Sequence, residues 1–182
     1  IERYQRFAHS RAENFDGAMY IRGIARITIG FFKKIVIAKF LIYDTLQLHL
    51  LPKVLENGVD FTLPLTIVFS YMSLSLLYAY LDISSYAHIA IGFGMMFGYR
   101  ICENMNYPIF RSNLSDYWNY WHISLSTWCR DYIYFPVLGS TRNTTLGLYS
   151  SFLVMGLRHY LSVNWALWGL WHASGVAFYS FW

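Results

Sequence analysis

The clearest apolar stretch without a charge covers residues 61–81 of the chain. As a helix these 21 residues extend about 31 Å, which matches the hydrocarbon core of a bilayer. Pro64 falls in the first turn, where a proline costs little because that backbone N–H has no helical partner. The pattern therefore predicts a membrane-spanning helix here.

Two further apolar stretches are less regular. Residues 83–99 are uncharged but glycine-rich, and 17 residues are short for a span. They are as consistent with a tilted, broken or re-entrant helix as with a full crossing. Residues 146–182 carry Arg158 as their only formal charge, and 37 residues are too many for one span. They predict two helices, or one span and a re-entrant piece.

The remaining helical patterns are amphipathic. Residues 21–43 are apolar but carry five basic side chains, which is typical of a helix at the membrane interface. Nine of the 14 basic residues lie at or before Lys53, so the positive-inside rule predicts a cytoplasmic N-terminal part. Residues 115–134 are aromatic and amphipathic, with Ser115 as the predicted helix N-cap and an acidic residue in the first turn.

Composition supports an all-α polytopic membrane protein. Only 13% of residues are charged, against about 25% in a soluble domain. The 20% of aromatic residues excludes disorder. A net charge of +4 with so little total charge is no signal for nucleic acid and fits loop bias in a membrane protein. Because the chain begins at Ile1 and stops at Trp182 within an apolar run, we expect the central part of a longer protein.

Ionisable groups at membrane depth are costly, which makes Asp82, Arg158 and His159 functional candidates. A histidine is the natural general base near neutral pH. The residues alone equally allow a histidine whose ring is satisfied by a backbone carbonyl. Asp82 either caps a helix that starts near Ser84 or lines a cavity.

A second candidate histidine lies in the aromatic stretch. At helical spacing His122 shares one face with Trp118, Ser126 and Arg130. Such a stripe suits the wall of a wet cavity, but the residues alone favour an interfacial aromatic belt with a polar edge.

A third histidine, His172, follows His159 by 13 residues. On one straight helix the two imidazoles are rotated about 220° apart. They face a single channel only if the helix breaks between them, which Ser162 permits. His172 shares a face with Trp165 and Trp168, so packing is its expected role.

Cofactor and metal signals are weak. No two histidines have helical metal-ligand spacing, and there is no Cys-x-x-Cys motif. The chain contains no phosphate-binding loop and no dinucleotide fingerprint. A haem bound between two histidines is an alternative that no feature of the sequence supports. We therefore expect no metal site and no bound cofactor, and we expect Cys102 and Cys129 to be buried free thiols.

Five motifs follow one another along most of the chain. They are residues 82–92 (D-I-S-S-Y-A-H-I-A-I-G), 103–108 (E-N-M-N-Y-P), 116–132 (D-Y-W-N-Y-W-H-I-S-L-S-T-W-C-R-D-Y), 156–159 (G-L-R-H) and 168–172 (W-G-L-W-H). This series, together with F-F-K-K at residues 31–34, resembles the membrane-bound O-acyltransferase (MBOAT) family. The similarity is greatest to the branch that O-acetylates bacterial exopolysaccharides such as alginate, and teichoic-acid D-alanyl transferases are more distant.

The resemblance implies a helical bundle with re-entrant and interfacial helices around a tunnel through the bacterial inner membrane. Residues 1–182 would form the central part of this single, multi-pass membrane domain. It implies acyl transfer, by default of acetyl, from a cytoplasmic thioester such as acetyl-CoA or an acyl carrier. The acceptor would be a hydroxyl of an exported polysaccharide or of an extracytoplasmic acyltransferase partner. A catalytically inactive membrane scaffold or channel is the alternative.

The resemblance also assigns site residues. The invariant histidine of the family falls on His159, the implied general base, and the second histidine of the bacterial branch falls on His122. The implied substrate-binding or tunnel-lining residues are Trp118, Trp121, Asn106, Ser126, Arg158 and Asp82. The chain departs from the family pattern at Arg158, Tyr160 and Val163, where the family usually has Trp, Gly and Trp.

Overall fold

The structure, a computed structural model, describes residues 16–52 and 64–181, whose regular elements are helices. They form two compact units that divide between Glu103 and Asn104. The first unit contains α1 (Gly17–Phe32), its π-helical continuations Lys33–Tyr43 and Leu46–Leu50, and α2 (Leu65–Met96). The second contains a 3-10 turn (Pro108–Phe110), α3 (Leu114–Tyr120), α4 (Ile123–Cys129), a π-helical segment (Arg130–Tyr134), α5 (Phe135–Thr141), α6 (Thr144–His159) and α7 (Val163–Phe181).

Helix α2 is continuous over 32 residues, or about 48 Å. Within the described residues it is the one helix long and apolar enough to cross a membrane. The predicted separation into a span and a second segment after Asp82 is therefore wrong, and so is the alternative that Asp82 caps a helix. Asp82 lies in the helix interior, where its carboxylate pairs with Lys34. The first three residues of the predicted span, 61–63, lie outside the described residues.

Small residues let α1 and α2 pack antiparallel at close range. A Cβ built on Gly23 would lie 2.7 Å from the carbonyl oxygen of Gly92, and one on Gly30 would lie 2.9 Å from that of Ser85. Gly92 therefore permits close helix packing. Gly94 instead faces the side chain of Ile101.

The two helices also exchange polar contacts, which we call the polar seam (Lys33, Lys34, Asp82, Ser84 and His88). Lys33 Nζ donates to Ser84 Oγ at 3.2 Å and lies 3.3 Å from His88 Nε2. Lys34 Nζ contacts Asp82 Oδ1 at 2.5 Å. It also lies 3.8 Å from the centroid of a neighbouring tyrosine ring on α2. The F-F-K-K motif and the 82–92 motif thus bind each other.

We expect Lys34→Met to lower the free energy of unfolding by about 1–3 kcal/mol, because it leaves the partly buried Asp82 carboxylate without its partner. The double variant Lys34→Met/Asp82→Leu should recover most of that loss. Thermal unfolding of the full-length protein in detergent measures both effects as a double-mutant cycle. Losses that simply add would show that the pair is not coupled.

In the second unit, α6 and α7 form an antiparallel helical hairpin, which agrees with the two-helix interpretation of residues 146–182. Asn143 caps α6 by accepting from the Leu146 N–H at 3.0 Å. A Cβ on Gly156 would meet the carbonyl oxygen of Trp165, and one on Gly169 would meet that of Phe152. The helices cross in direct backbone contact. The core beside them contains Trp118, Cys129, Phe152, Met155, Ala173 and Val176.

Two local predictions need correction. Asn113, not Ser115, caps α3, because its Oδ1 accepts from the Asp116 N–H at 2.7 Å while its Nδ2 donates to the Asp116 carboxylate. The predicted acidic residue in the first turn is confirmed. Cys129 is buried as expected, but Cys102 is exposed.

Candidate active site

The turn at His122 separates α3 from α4. His122 has φ 46° and ψ 55°, the left-handed region that costs a non-glycine residue about 1–2 kcal/mol. The predicted single face shared with Trp118 and Ser126 is therefore wrong, since the helix does not continue through this residue. The strained turn sets the imidazole between two short helices.

Asn104, which precedes α3 in the chain, accepts three hydrogen bonds from this turn. Its backbone carbonyl accepts from the Ile123 N–H at 2.9 Å. Its side-chain Oδ1 accepts from the Ser124 N–H at 3.0 Å and from Ser124 Oγ at 2.8 Å. Ser124 Oγ in turn lies 3.5 Å from His122 Nδ1. Three contacts from one residue therefore fix the backbone that carries the histidine.

The rest of the 103–108 motif extends this support. The Asn106 N–H donates to the Tyr120 carbonyl at 3.1 Å, and the Asn106 carbonyl accepts from Arg111 Nη2 at 2.8 Å. The same guanidinium lies 3.5 Å from the centroid of the Tyr120 ring. The His122 N–H points at Met105 Sδ, 3.3 Å away. Asn106 thus contributes to the site through its backbone, and the role predicted for its side chain stays a prediction.

His159 is the last residue of α6. Its imidazole stacks on Trp165, with ring centroids 4.8 Å apart and an interplanar angle of 20°. It also meets Trp168 edge-on at 5.9 Å. These contacts form because the chain turns back between the two helices, where Ser162 accepts from the backbone N–H groups that begin α7.

Trp168 connects the histidine to the core. Its ring lies 4.6 Å from that of His172 and 5.7 Å from that of Trp118, between centroids. His172 meets Trp118 edge-on at 5.1 Å. The helix does break between His159 and His172, and the ring of His172 packs among tryptophans as expected.

Burial lowers the pKa of both candidate histidines. Burial lowers the pKa of His122 below its usual value, and the neighbouring imidazole of His159 and guanidinium of Arg158 lower it further. The neutral form of His122 is therefore favoured at pH 7. Arg158 itself is exposed and lies 5.1 Å from the centroid of the Trp128 ring, a cation–π distance.

A cavity of about 730 Å³ opens beside the core of this unit. Trp118 and Ser126 line it, whereas neither candidate histidine does. Ser126 Oγ donates a hydrogen bond to the Trp121 carbonyl oxygen at 3.0 Å. Trp118 is 7% exposed, and among the described residues its indole N–H has no hydrogen-bond acceptor.

The other predicted charges have structural partners. Asp82 lies in the first unit within the polar seam, and its predicted place on a tunnel wall stays untested. Arg130 Nε forms a local ion pair with Asp131 Oδ1 at 3.3 Å. Sequence reasoning missed the supporting roles of Asn104 and Arg111, although Asn104 lies within a recognised motif.

A chain with these helices and this histidine-bearing site belongs to the membrane-bound O-acyltransferase family, because the MBOAT family model matches residues 2–182. Three bacterial relatives show the range of similarity. Over 101 residues the chain is 42% identical to the probable alginate O-acetylase AlgI of Pseudomonas aeruginosa, covering 54% of the chain and 19% of that protein.

The other two relatives match more of the chain. It is 30% identical over 196 residues to the teichoic acid D-alanyltransferase of Bacillus subtilis, covering 100% of the chain and 47% of that protein. It is 34% identical over 162 residues to the peptidoglycan O-acetyltransferase of Helicobacter pylori, covering 85% and 28% respectively. The chain thus spans from about a fifth to about half of the length of these relatives. The resemblance that the motifs indicated is confirmed.

Proposed function

We propose that this chain carries the reaction centre of a multi-pass O-acyltransferase in the bacterial inner membrane. The enzyme would move an acyl group, by default acetyl, from a cytoplasmic thioester to a hydroxyl of an exported polymer or a relay protein. The observation that carries the proposal is the presence in one compact unit of His122, on a turn held by Asn104, and of His159, stacked on Trp165, within a chain of the acyltransferase family.

His159 suits the role of general base. Its ring plane is fixed by stacking on Trp165, while one side of the residue remains exposed to an entering substrate. It ends α6, where the negative end of the helix dipole stabilises the imidazolium that proton transfer creates. The acceptor oxygen would attack the thioester carbonyl as its proton passes to the imidazole.

The second half of the reaction returns that proton. The tetrahedral intermediate collapses, the carbon–sulfur bond breaks, and the leaving sulfur takes the proton from the His159 imidazolium. The products are an O-acyl ester and a free thiol, so the enzyme ends unchanged. No cofactor takes part, and the thioester is a substrate.

His122 suits the stabilisation of the oxyanion. Because its pKa is lowered, the ring is neutral at pH 7 and keeps one N–H donor and one acceptor. A donor held in place before reaction stabilises the negative charge on the carbonyl oxygen without reorganisation. The strained turn and its contacts to Asn104 supply that rigidity. Arg158, which has an open guanidinium, would hold a phosphate of the donor or an acidic sugar.

Membrane vesicles that contain the full-length protein and its neighbouring proteins test the proposal. They would receive acetyl-labelled coenzyme A, and label would be followed into exopolysaccharide, teichoic acid and peptidoglycan fractions. We expect protein-dependent label in one polymer fraction. Vesicles without the protein provide the control, and absence of transfer with acetyl and D-alanyl donors alike would favour the inactive scaffold.

We expect Asn104→Ala to lower kcat about tenfold with little change in KM, because the turn that positions His122 loses both side-chain contacts. Asn164→Ala, an exposed asparagine at the start of α7, is the matched control. If Asn104 acts through His122, its substitution in a His122→Ala background should add little. An equal tenfold loss in that background would show a different role.

A further inference from the structure

A second cavity, of about 300 Å³, lies in the first unit. Its walls are the first turns of α1, the C-terminal part of α2 and the residues that follow α2 up to Glu103. Met95, in the last turn of α2, lines it, and among the described residues α2 is the helix long and apolar enough to cross a membrane. A site at the end of such a helix would be open to molecules with one polar and one apolar part.

The floor of the cavity is apolar. Met19 is 5% exposed and Ile91 is 3% exposed, and both side chains line it. Met95 and Ile101 complete this surface. The floor therefore favours hydrocarbon over water.

The rim of the cavity is cationic. Three arginines line it, Arg22, Arg26 and Arg100, together with the carboxylates of Asp16 and Glu103. Guanidinium groups recognise phosphate through two parallel N–H donors, which makes a group of them a typical phosphate site.

Two of these arginines remain available to a ligand. Arg26 is engaged, since its Nη2 lies 2.5 Å from the Glu103 carboxylate. Arg22 Nε donates to the Ala18 carbonyl at 3.2 Å, and its Nη2 reaches Asp16 only at 3.9 Å, so part of its exposed guanidinium stays open to a ligand. Asp16 instead caps α1 by accepting from the N–H groups of the residues two and three positions on.

Arg100 is exposed, and within the described ranges 16–52 and 64–181 no carboxylate lies within ion-pair distance of it. The rim thus presents an uncompensated guanidinium above an apolar floor.

We propose that this cavity binds a phosphate ester that carries an apolar portion, with the phosphate on Arg22 and Arg100 and the apolar portion on the floor. Two sources share that chemistry, an anionic phospholipid of the surrounding bilayer and a soluble nucleotide-linked thioester. The proposal does not depend on acyl transfer by the second unit.

The test compares two probes on the full-length protein in neutral detergent. Native mass spectrometry measures the binding of phosphatidylglycerol, and titration calorimetry measures the binding of coenzyme A. The variant Arg22→Gln/Arg100→Gln should weaken one of them by about fivefold for each arginine removed. The control Lys39→Gln/Arg142→Gln removes the same charge from exposed positions outside the cavity.

Each outcome has one meaning. Weaker lipid binding identifies a lipid headgroup site, and weaker coenzyme A binding identifies a site for a soluble donor. Arg100→Lys keeps the charge but loses the paired N–H donors, so it should retain only part of the binding. Unchanged binding of both probes in the double variant, or an equal loss in the control, would overturn the proposal. Arg100→Gln alone serves as the second variant should the double substitution reduce the yield.

Discussion

Replacing His159 by alanine is expected to lower the rate of acyl transfer by about 10²–10⁴-fold, which is the usual contribution of a positioned general base. Without the imidazole, the acceptor hydroxyl must lose its proton to water while it attacks the thioester. The stacking surface of Trp165 would remain, so substrate binding should change less than turnover. Labelled acetyl transfer by vesicles that contain the full-length protein measures the effect.

Two histidine variants serve as controls for that measurement. His49→Ala changes an exposed histidine in the first unit and should leave the rate unchanged. His172→Phe preserves an aromatic ring against Trp118 and Trp168 and should retain most of the activity. Unchanged transfer by His159→Ala at normal protein levels would remove this residue from the chemistry and leave His122 as the candidate base.

The second large effect concerns stability. We expect Gly156→Leu to destabilise the α6–α7 hairpin by about 3 kcal/mol or more, because a side chain there meets a backbone carbonyl that no rotamer change can move. The two helices must separate, which also breaks the stack between His159 and Trp165. Folded yield and Tm of the full-length protein in detergent report the loss.

Gly139→Ala is the matched control for this substitution. It lies in α5, and a Cβ built there has no atom within 4 Å. In a helix alanine is favoured over glycine by about 1 kcal/mol, so this variant should be at least as stable as the wild type. A Gly156→Leu protein with wild-type Tm would show that the two helices do not cross in contact at this glycine.

The helical character of the chain could be predicted from its sequence, but the continuity of α2 could not. Asp82 has the appearance of a boundary because a carboxylate within an apolar run is costly on its own. Its partner Lys34 lies 48 residues away on the π-helical continuation of α1, and the ion pair compensates the carboxylate within the continuous helix. Local pattern carries no information about such a distant contact.

The candidate site, like the fold, could be predicted from the sequence only in part. The motifs identified both histidines, and the sequence permitted a helix break between His159 and His172 without showing that one is present. The break at His122 could not be read from helical spacing, because one residue in a left-handed conformation ends the helix without glycine or proline. Asn104, 20 residues away from Ser124, stabilises this left-handed turn through hydrogen bonds.

The polar seam has a consequence for biogenesis. A lone aspartate at the centre of a helix raises the cost of insertion into a bilayer by about 2.5–3.5 kcal/mol. In the folded protein Lys34 compensates the charge of Asp82, and Lys33 satisfies Ser84. Insertion of α2 on its own therefore carries the full cost of the aspartate. We expect α2 to insert at lower cost when the preceding helical segment, which carries Lys34, already lies beside it at the membrane surface.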